Sequence, residues 1–355
     1  MPFKIILIIE VIIEKLIIMK LQIAYKFSEF CKEREIDVND FNEYFSDEYA
    51  AYLRGDRLIL FSEGWAIPVT VNKRSVFCYA TFLSEPQEYN PAKNENGVDY
   101  LTAVCDYLYT KYKIQWTNQT APSTLFSFVP DNSISIPFGS HIIDLTQPEE
   151  ALMANMHSKH RNVVRKAAKD GVIVKIGGAE LLDDYCVIDE QTWARSNRKG
   201  EGELEYERFV KALPNNTRVY VSYYEDKPQT GAIIMFNKQM AYYLYGASIN
   251  HTHNGSGNLL QWEVIKDMQK AGVLKYSFVG CRINVDENSK YYGIQMFKSR
   301  FGGTLFEGEI FKVIYNKFMY HLFRTIVTVR STIRNKHYSP YSDIIDQEIH
   351  KWPQQ

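Results

Sequence analysis

Apolar positions along this chain change period several times, and each change marks an element. Residues 56–71, "DRLILFSEGWAIPVTV", and 74–83, "RSVFCYATFL", are dense in branched and aromatic side chains and read as two strands with a turn between them. "DYLTAVCDYLYTKY" repeats its apolar residues at helical spacing. "SISIPFGSHIIDL" predicts short strands broken by Pro137 and Gly139. Thr146 and Glu149 stand at capping-box spacing with Pro148 in the first turn. Arg165, Lys166 and Lys169 complement the far end of the dipole and Gly171 is a natural stop, so one helix is expected over 146–170.

"VIVKI" then reads as a strand, and helical patterns follow over 179–197 and 203–213. Residues 217–250 alternate as a three-stranded meander that turns at Asp226 and again at Asn237. "HTHNGSGNLLQWEVIKDMQKAGVLKYSFVG" is a polar loop, an amphipathic helix stopped by Gly272, and a strand, which together make a βαβ-like crossover. "FKVIYN" closes the sheet, and 317–334 predict a basic amphipathic helix. The fold class is α/β (α+β). The expected organisation is a divergent domain over 20–144, a second over 145–314, and a helix and tail over 315–355 that return to the first.

Composition narrows the class without changing this outline. A chain of 355 residues with 45% hydrophobic and 23% charged residues can bury two cores. Its net charge of −1 leaves no global field for nucleic acid, so anions must meet local patches and no DNA partner is expected. Five scattered cysteines, none in a CxxC pair, argue against a disulfide framework or a zinc site and fit a reducing cytoplasm. The opening "KIILIIEVIIEKLIIMK" is interrupted by Glu10, Glu14 and Lys15, whereas a membrane span needs about 20 largely apolar residues. It reads as a buried element, as a membrane-surface helix, or as the product of a start assigned at Met1 where Met19 is the true one. The last is preferred.

Four stretches offer chemistry. Gly255, Ser256, Gly257 and Asn258 open a helix, where free N–H groups favour an anion and glycines admit a phosphate; a plain turn is the alternative. Arg161, Arg165 and Lys169 share a helix face, either solvated or turned to phosphates. Arg195, Arg198 and Lys199 sit where a helix breaks at Gly200, with the same two readings. In "FKSRFGG", Phe297 and Phe301 are expected to pack inward while Lys298 and Arg300 point the other way, and Gly302 and Gly303 allow a bend. HExxH, GxSxG and a P-loop lysine are absent, so no metal is expected.

The order of these pieces, "KHRNVVRKAAKDGVIV", "YYLYGAS", "NLLQWEVIKDMQKAGVLKYSFVG" and "YYGIQMFKSRFGG", resembles the FemABX aminoacyltransferases and related GNAT-like acyltransferases of cell-envelope pathways. The resemblance covers about 150–315. It implies two GNAT-like domains, each a mixed, mostly antiparallel sheet flanked by helices. It also implies acyl transfer to an amine of a peptidoglycan or polysaccharide precursor, with aminoacyl-tRNA or acyl-CoA as donor and no permanently bound cofactor. By matching, Lys298 holds a phosphate or the oxyanion of the tetrahedral intermediate. Departures are Tyr276-Ser277-Phe278 where the family often has Tyr-Asp-Phe, the missing helical-hairpin arm, and "HNGSGN", which only approximates an acetyl-CoA loop.

Backbone N–H groups near Gly246 are further candidate oxyanion donors. Tyr243 and Tyr245, on one strand face by period two, are candidates to relay a proton, with core packing as the alternative for each. Arg161, Arg165, Arg195, Arg198 and Arg300 are the candidate substrate-binding cations, and Gly255 to Asn258 the candidate CoA cradle. The competing functions are acyl-CoA-dependent acetylation of an amino sugar and a non-catalytic scaffold. The expected location is cytoplasmic, with the basic C-terminal helix either packed on the first domain or resting on a membrane where lipid-linked precursors sit.

Overall fold

The computed structural model describes residues 20–195, 200–283, 285–335 and 342–349. The Met1/Met19 question and Arg198 and Lys199 therefore lie outside the described residues. In chain order the elements used below are β1 (Gln22–Ala24), α1 (Phe27–Arg34), α2 (Asp47–Tyr52), β2 (Arg57–Phe61), β3 (Trp65–Arg74), β4 (Phe77–Phe82), β5 (Gln87–Glu88), α3 (Gly97–Tyr112), β6 (Trp116–Thr117) and β7 (Ile134–Asp144). They continue with α4 (Glu149–Asn155), α5 (Ser158–Lys169), β8 (Ile173–Gly177), α6 (Leu182–Ala194), α7 (Glu203–Ala212), β9 (Thr217–Tyr224), β10 (Lys227–Phe236) and β11 (Met240–Ser248). The last are α8 (Ser256–Lys270), β12 (Lys275–Cys281), α9 (Lys290–Ser299), β13 (Thr304–Lys312), α10 (Lys317–Asn335) and α11 (Ile344–Ile349).

The chain forms two compact units. Of the described residues, one holds those within 20–36, 53–138 and 307–349, and the other those within 37–52 and 139–306. In the first, β1-β2-β3-β4-β6 form a sheet with β5 on β3. The first predicted strand is in fact a hairpin, β2 and β3, reversing at Gly64. The core of this unit packs α3 residues Tyr100, Leu101, Val104 and Leu108 against Leu60, Ile67, Val69 and Phe82 of the sheet. Lys312, almost wholly buried, is paired with Asp343 and Asp346 at 2.7 Å each, which ties α11 to β13.

In the second unit the sheet order is β7-β12-β11-β10-β9-β8, with β7 entering at Gly139. The meander β9-β10-β11 forms as expected, turning through Glu225 and Asp226, both at positive φ. α8 then returns the chain so that β12 runs parallel to β11. Two expectations fail. β7 is one strand of 11 residues rather than short pieces. It keeps Pro137 because β12 pairs with it only from Gly139 to Asp144, so no bond from that partner is lost at the proline.

The single helix over 146–170 is two. Met156 and His157 are extended (ψ 146° and 138°), and the His157 side chain caps α5 by accepting from the Lys159 N–H at 3.2 Å. The capping box does not close either, because Thr146 bonds Asp144 at 2.7 Å through its hydroxyl. Periodicity alone could not show this break. It depends on a distant partner, the Arg300 carbonyl, which accepts the His157 N–H at 2.9 Å.

Candidate active site

β11 and β12 pair only through Met240, Ala241 and Tyr242 against Lys275, Tyr276 and Ser277. Beyond that point the two parallel strands separate. Alternate backbone groups of β11 from Tyr243 to Ser248 therefore face a gap instead of a ladder. The gap is a cleft of about 860 Å³, within the size range of small-molecule sites. It is lined by Tyr243, Gly246, Gly257, Asn258, Gln261 and Lys298, among others.

A bulge in β12 prepares one wall. The register with β7 shifts between Ser277 and Gly280, and Val279 sits at φ 49°. A β-branched residue in the left-handed region costs about 1–2 kcal/mol, so the surroundings must hold it there. They do so partly through Ser277, whose Oγ accepts the Val279 N–H at 3.1 Å and meets Ser140 Oγ at 2.9 Å. Ser277, where the resemblance led us to expect an Asp, is thus built into the bulge.

The consequence is that the Val279 and Gly280 carbonyls accept from Lys298 Nζ at 3.3 and 3.2 Å. Lys298 does not point outward as expected; only 8% of its surface is exposed. Burial lowers its pKa to about 8. An ammonium has three N–H donors, and two are accounted for by the bulge carbonyls. The third is available to the cleft.

The rest of "FKSRFGG" holds this lysine in place. Phe297 and Phe301 pack on the buried imidazole of His160, with ring centroids 5.6 and 4.8 Å away, and Phe301 also meets Phe278 at 5.2 Å. Burial, then the Arg300 charge, push His160 down to about 4, so it is neutral. Arg300 itself is not among the cleft-lining residues and its carbonyl anchors His157.

Tyr243 and Tyr245 part company. The register between β10 and β11 slips so that Ile233 faces Tyr245 and Ile234 faces Tyr243, with Leu244 as the extra residue. The bulge puts the two tyrosines on opposite faces. Tyr245 packs on Tyr206 and Phe209 at 5.1 and 6.1 Å, an aromatic core contact. Tyr243 lines the cleft, and burial pushes its pKa up to about 12, partly offset by the Gln261 amide. It is a proton donor at neutral pH, not a base. Gln261 is oriented by Tyr276, whose hydroxyl donates to Oε1 at 2.7 Å, and its buried Nε2 faces Tyr243 without closing a hydrogen bond.

The other candidates divide. At the N-terminus of α8, Gly255 (φ 90°), Gly257 and Asn258 line the cleft, while Ser256 is fully buried. A Cβ at Gly257 would meet nothing closer than Thr230 Cγ2 at 3.8 Å, whereas one at Gly255 would strike the Val163 carbonyl at 2.9 Å. Arg195 lines the cleft, but its guanidinium is engaged by the Ser248 carbonyl and Oγ, both at 2.9 Å. Arg161 caps the end of α4, donating to the Ala154 carbonyl at 2.8 Å and to that of Met156. Arg165 is exposed and outside the cleft lining.

Sequence reasoning missed His141. It is buried on β7, with neither ring nitrogen hydrogen-bonded, and burial and the nearby Lys298 charge keep its pKa down. The one signal was a polar residue on the alternating face of an apolar strand.

Comparisons with known proteins bear on the family and the fold. The model of the FemAB family matches residues 131–228 and 222–327, together more than half of the chain. A lipid II:glycine glycyltransferase of Staphylococcus haemolyticus is 29% identical over 213 residues, 53% of this chain and 50% of that protein. One from Staphylococcus epidermidis is 38% identical over 96 residues, 26% and 23% of the respective chains. The chain thus spans half or less of the length of these curated relatives. Among solved structures, FemX superposes with a TM-score of 0.60 at 15% identity, over 78% of this chain and 93% of that one. The C-terminal domain of a putative lysylphosphatidylglycerol synthetase from Agrobacterium fabrum gives 0.52 at 14%, over 86% and 97%. The expected α/β architecture, two mixed sheets flanked by helices, is the observed one, and FemX shares it.

Proposed function

Because the chain belongs to the FemAB family, we propose that it transfers an aminoacyl group from an aminoacyl-tRNA to an amine of a lipid-linked peptidoglycan precursor. The activity named for the relatives, glycine addition to lipid II, supports this acceptor class. The observation that carries the reading is Lys298, a buried ammonium with one N–H left for the cleft.

The acceptor amine attacks the ester carbonyl, a C–N bond forms, and the carbonyl oxygen becomes an oxyanion. Lys298 and the unladdered N–H groups of β11 stabilise it. The C–O bond to the ribose then breaks, and the amine's proton passes to the departing oxygen with Tyr243 as the donor at hand. The attacking amine must be neutral. At pH 7 this costs roughly 4–5 kcal/mol for a lysine-like amine and only about 1 kcal/mol for an α-amine, so a glycine-extended acceptor is the easier nucleophile.

The test is donor choice. Charged tRNA should bind with strong salt dependence and donate its aminoacyl group; binding of acetyl-CoA instead would assign the acyl-CoA reading. Gly257→Ala serves as the control for that reading. Its new methyl makes only an ordinary contact, 3.8 Å from Thr230 Cγ2, so the variant should fold with a stability change under about 0.5 kcal/mol, and any lost CoA binding reports the ligand. The two tyrosines supply a second test. Tyr243→Phe should lower kcat/KM by about 10-fold or more, as loss of a positioned acid does. Tyr245→Phe should leave it within about 2-fold, because that hydroxyl lies on the other face.

A further inference from the structure

We propose that the outer face of α10 docks on an anionic lipid bilayer. The inner face is already satisfied: Tyr320 is buried beside Trp116 at 5.6 Å, Phe323 lies 5.0 Å from Trp116, and Arg324 pairs with Asp346 at 3.2 Å. The opposite face shows Phe318, Leu322, Ile326, Val329 and Ile333, with exposures of 74%, 36%, 48%, 52% and 74%. Their spacing places all five within one stripe of the helix, about 22 Å long at 1.5 Å per residue. A run of five large apolar side chains on a solvated helix needs a cover.

Charge selects which cover. α10 contains Lys317, Arg324, Arg330 and Arg334 and no Asp or Glu. Lys317, His321 and Arg330 are exposed along with the stripe. The nearby carboxylates Asp343 and Asp346 are consumed by the buried Lys312. A cationic helix with one exposed apolar face lies in the plane of a bilayer interface, its apolar side chains entering the headgroup boundary and its cations meeting anionic lipid. A bilayer-crossing role is not open to it: among the described residues no helix is long and apolar enough to span a membrane.

The experiment is flotation of the full chain with vesicles of phosphatidylcholine, with and without one-third phosphatidylglycerol. The protein should float with the anionic vesicles and detach in high salt. Ile326→Asp with Val329→Asp should weaken partition at least about 100-fold, and Arg330→Gln about 5-fold. All three side chains are exposed, so an unchanged melting temperature is expected and certifies the fold. Absent flotation at low salt overturns the proposal, as does flotation that the double variant retains. A dimer in solution that the double variant dissolves, without vesicle binding, would assign the face to a second copy instead. The vesicles contain no acceptor, so failure here leaves the transferase reading intact, which is tested with a detached, water-soluble acceptor.

Discussion

Lys298→Met should reduce kcat/KM by about 10²–10³-fold, the loss typical of removing one oxyanion donor, while leaving the fold as stable as before. The two halves of this expectation come from the same burial. Holding an ammonium with 8% exposure and a pKa lowered to about 8 costs the folded state about 3 kcal/mol at neutral pH. Methionine removes that cost. It also removes the bonds to the Val279 and Gly280 carbonyls, which costs about 1–3 kcal/mol. The terms offset, so the variant should melt within a few degrees of the wild type or above it. A lysine kept only for structure would behave oppositely, with a lowered melting temperature and activity lost in proportion to the unfolded fraction. Lys298→Arg should not rescue the rate, since a planar guanidinium does not fit a slot shaped by two carbonyls. Full activity in Lys298→Met would instead take Lys298 out of the reaction and leave the oxyanion to other donors.

The same group sets a pH signature with a definite sign. Burial lowers the folded pKa of Lys298 from its usual 10.5 to about 8. In the window between those values the unfolded chain binds the extra proton, so stability rises with pH there, and Lys298→Met should flatten that rise. On the proposed mechanism activity should run the other way above pH about 8, as the ammonium assigned to the oxyanion loses its charge. The acceptor amine gains reactivity over the same range, so wild-type kcat/KM should be bell-shaped, and the variant should lack the alkaline limb set by Lys298.

What the sequence made legible was whatever is local. The meander β9-β10-β11, α8 and the parallel return to β12 follow from alternation, helical spacing and Gly272, all within about 60 residues. The candidate site was legible only as a motif. "FKSRFGG" points to Lys298, but its inward direction depends on the Val279 bulge, and nothing in "KYSFVGC" announces a valine at φ 49°. The split of Tyr243 from Tyr245 has the same origin, because one unpaired residue, Leu244, inverts a face that period-two reasoning treats as continuous. The broken helix at Met156 and His157 and the placement of residues 37–52 with the second unit rest on long-range bonds. Asn237 Nδ2, for example, donates to the Phe41 carbonyl at 2.6 Å. Such bonds join distant residues, His157 to Arg300 and Asn237 to Phe41, where periodicity carries no information.

Gly302→Ala should destabilise the protein by about 3 kcal/mol and remove activity beyond what the unfolded fraction explains. Gly302 is at φ 85°, a conformation that costs an L-residue about 1–2 kcal/mol. A Cβ there would stand 2.8 Å from both the carbonyl carbon and oxygen of Asn155. Backbone at the end of α4 cannot swing aside as a side-chain tip would, so overpacking adds about 1–3 kcal/mol. A loss of this size in a unit of this length lowers the melting temperature by roughly 6–12 °C. The turn directly follows α9, so relief of the clash must move Phe301 and the helix end that carries Lys298. The lysine then leaves its carbonyls, and on the proposed mechanism kcat should fall more than KM rises, because there it meets transition-state charge. Gly293→Ala is the control for stability alone: it lines the cleft but lies inside α9 with nothing within 4 Å of its added methyl. That variant should gain about 0.5–1 kcal/mol from helix propensity. Equal stability of Gly302→Ala and wild type would show that the turn is looser than its contact with Asn155 implies. The two glycines would then be a hinge rather than the clamp that fixes Lys298 against the cleft.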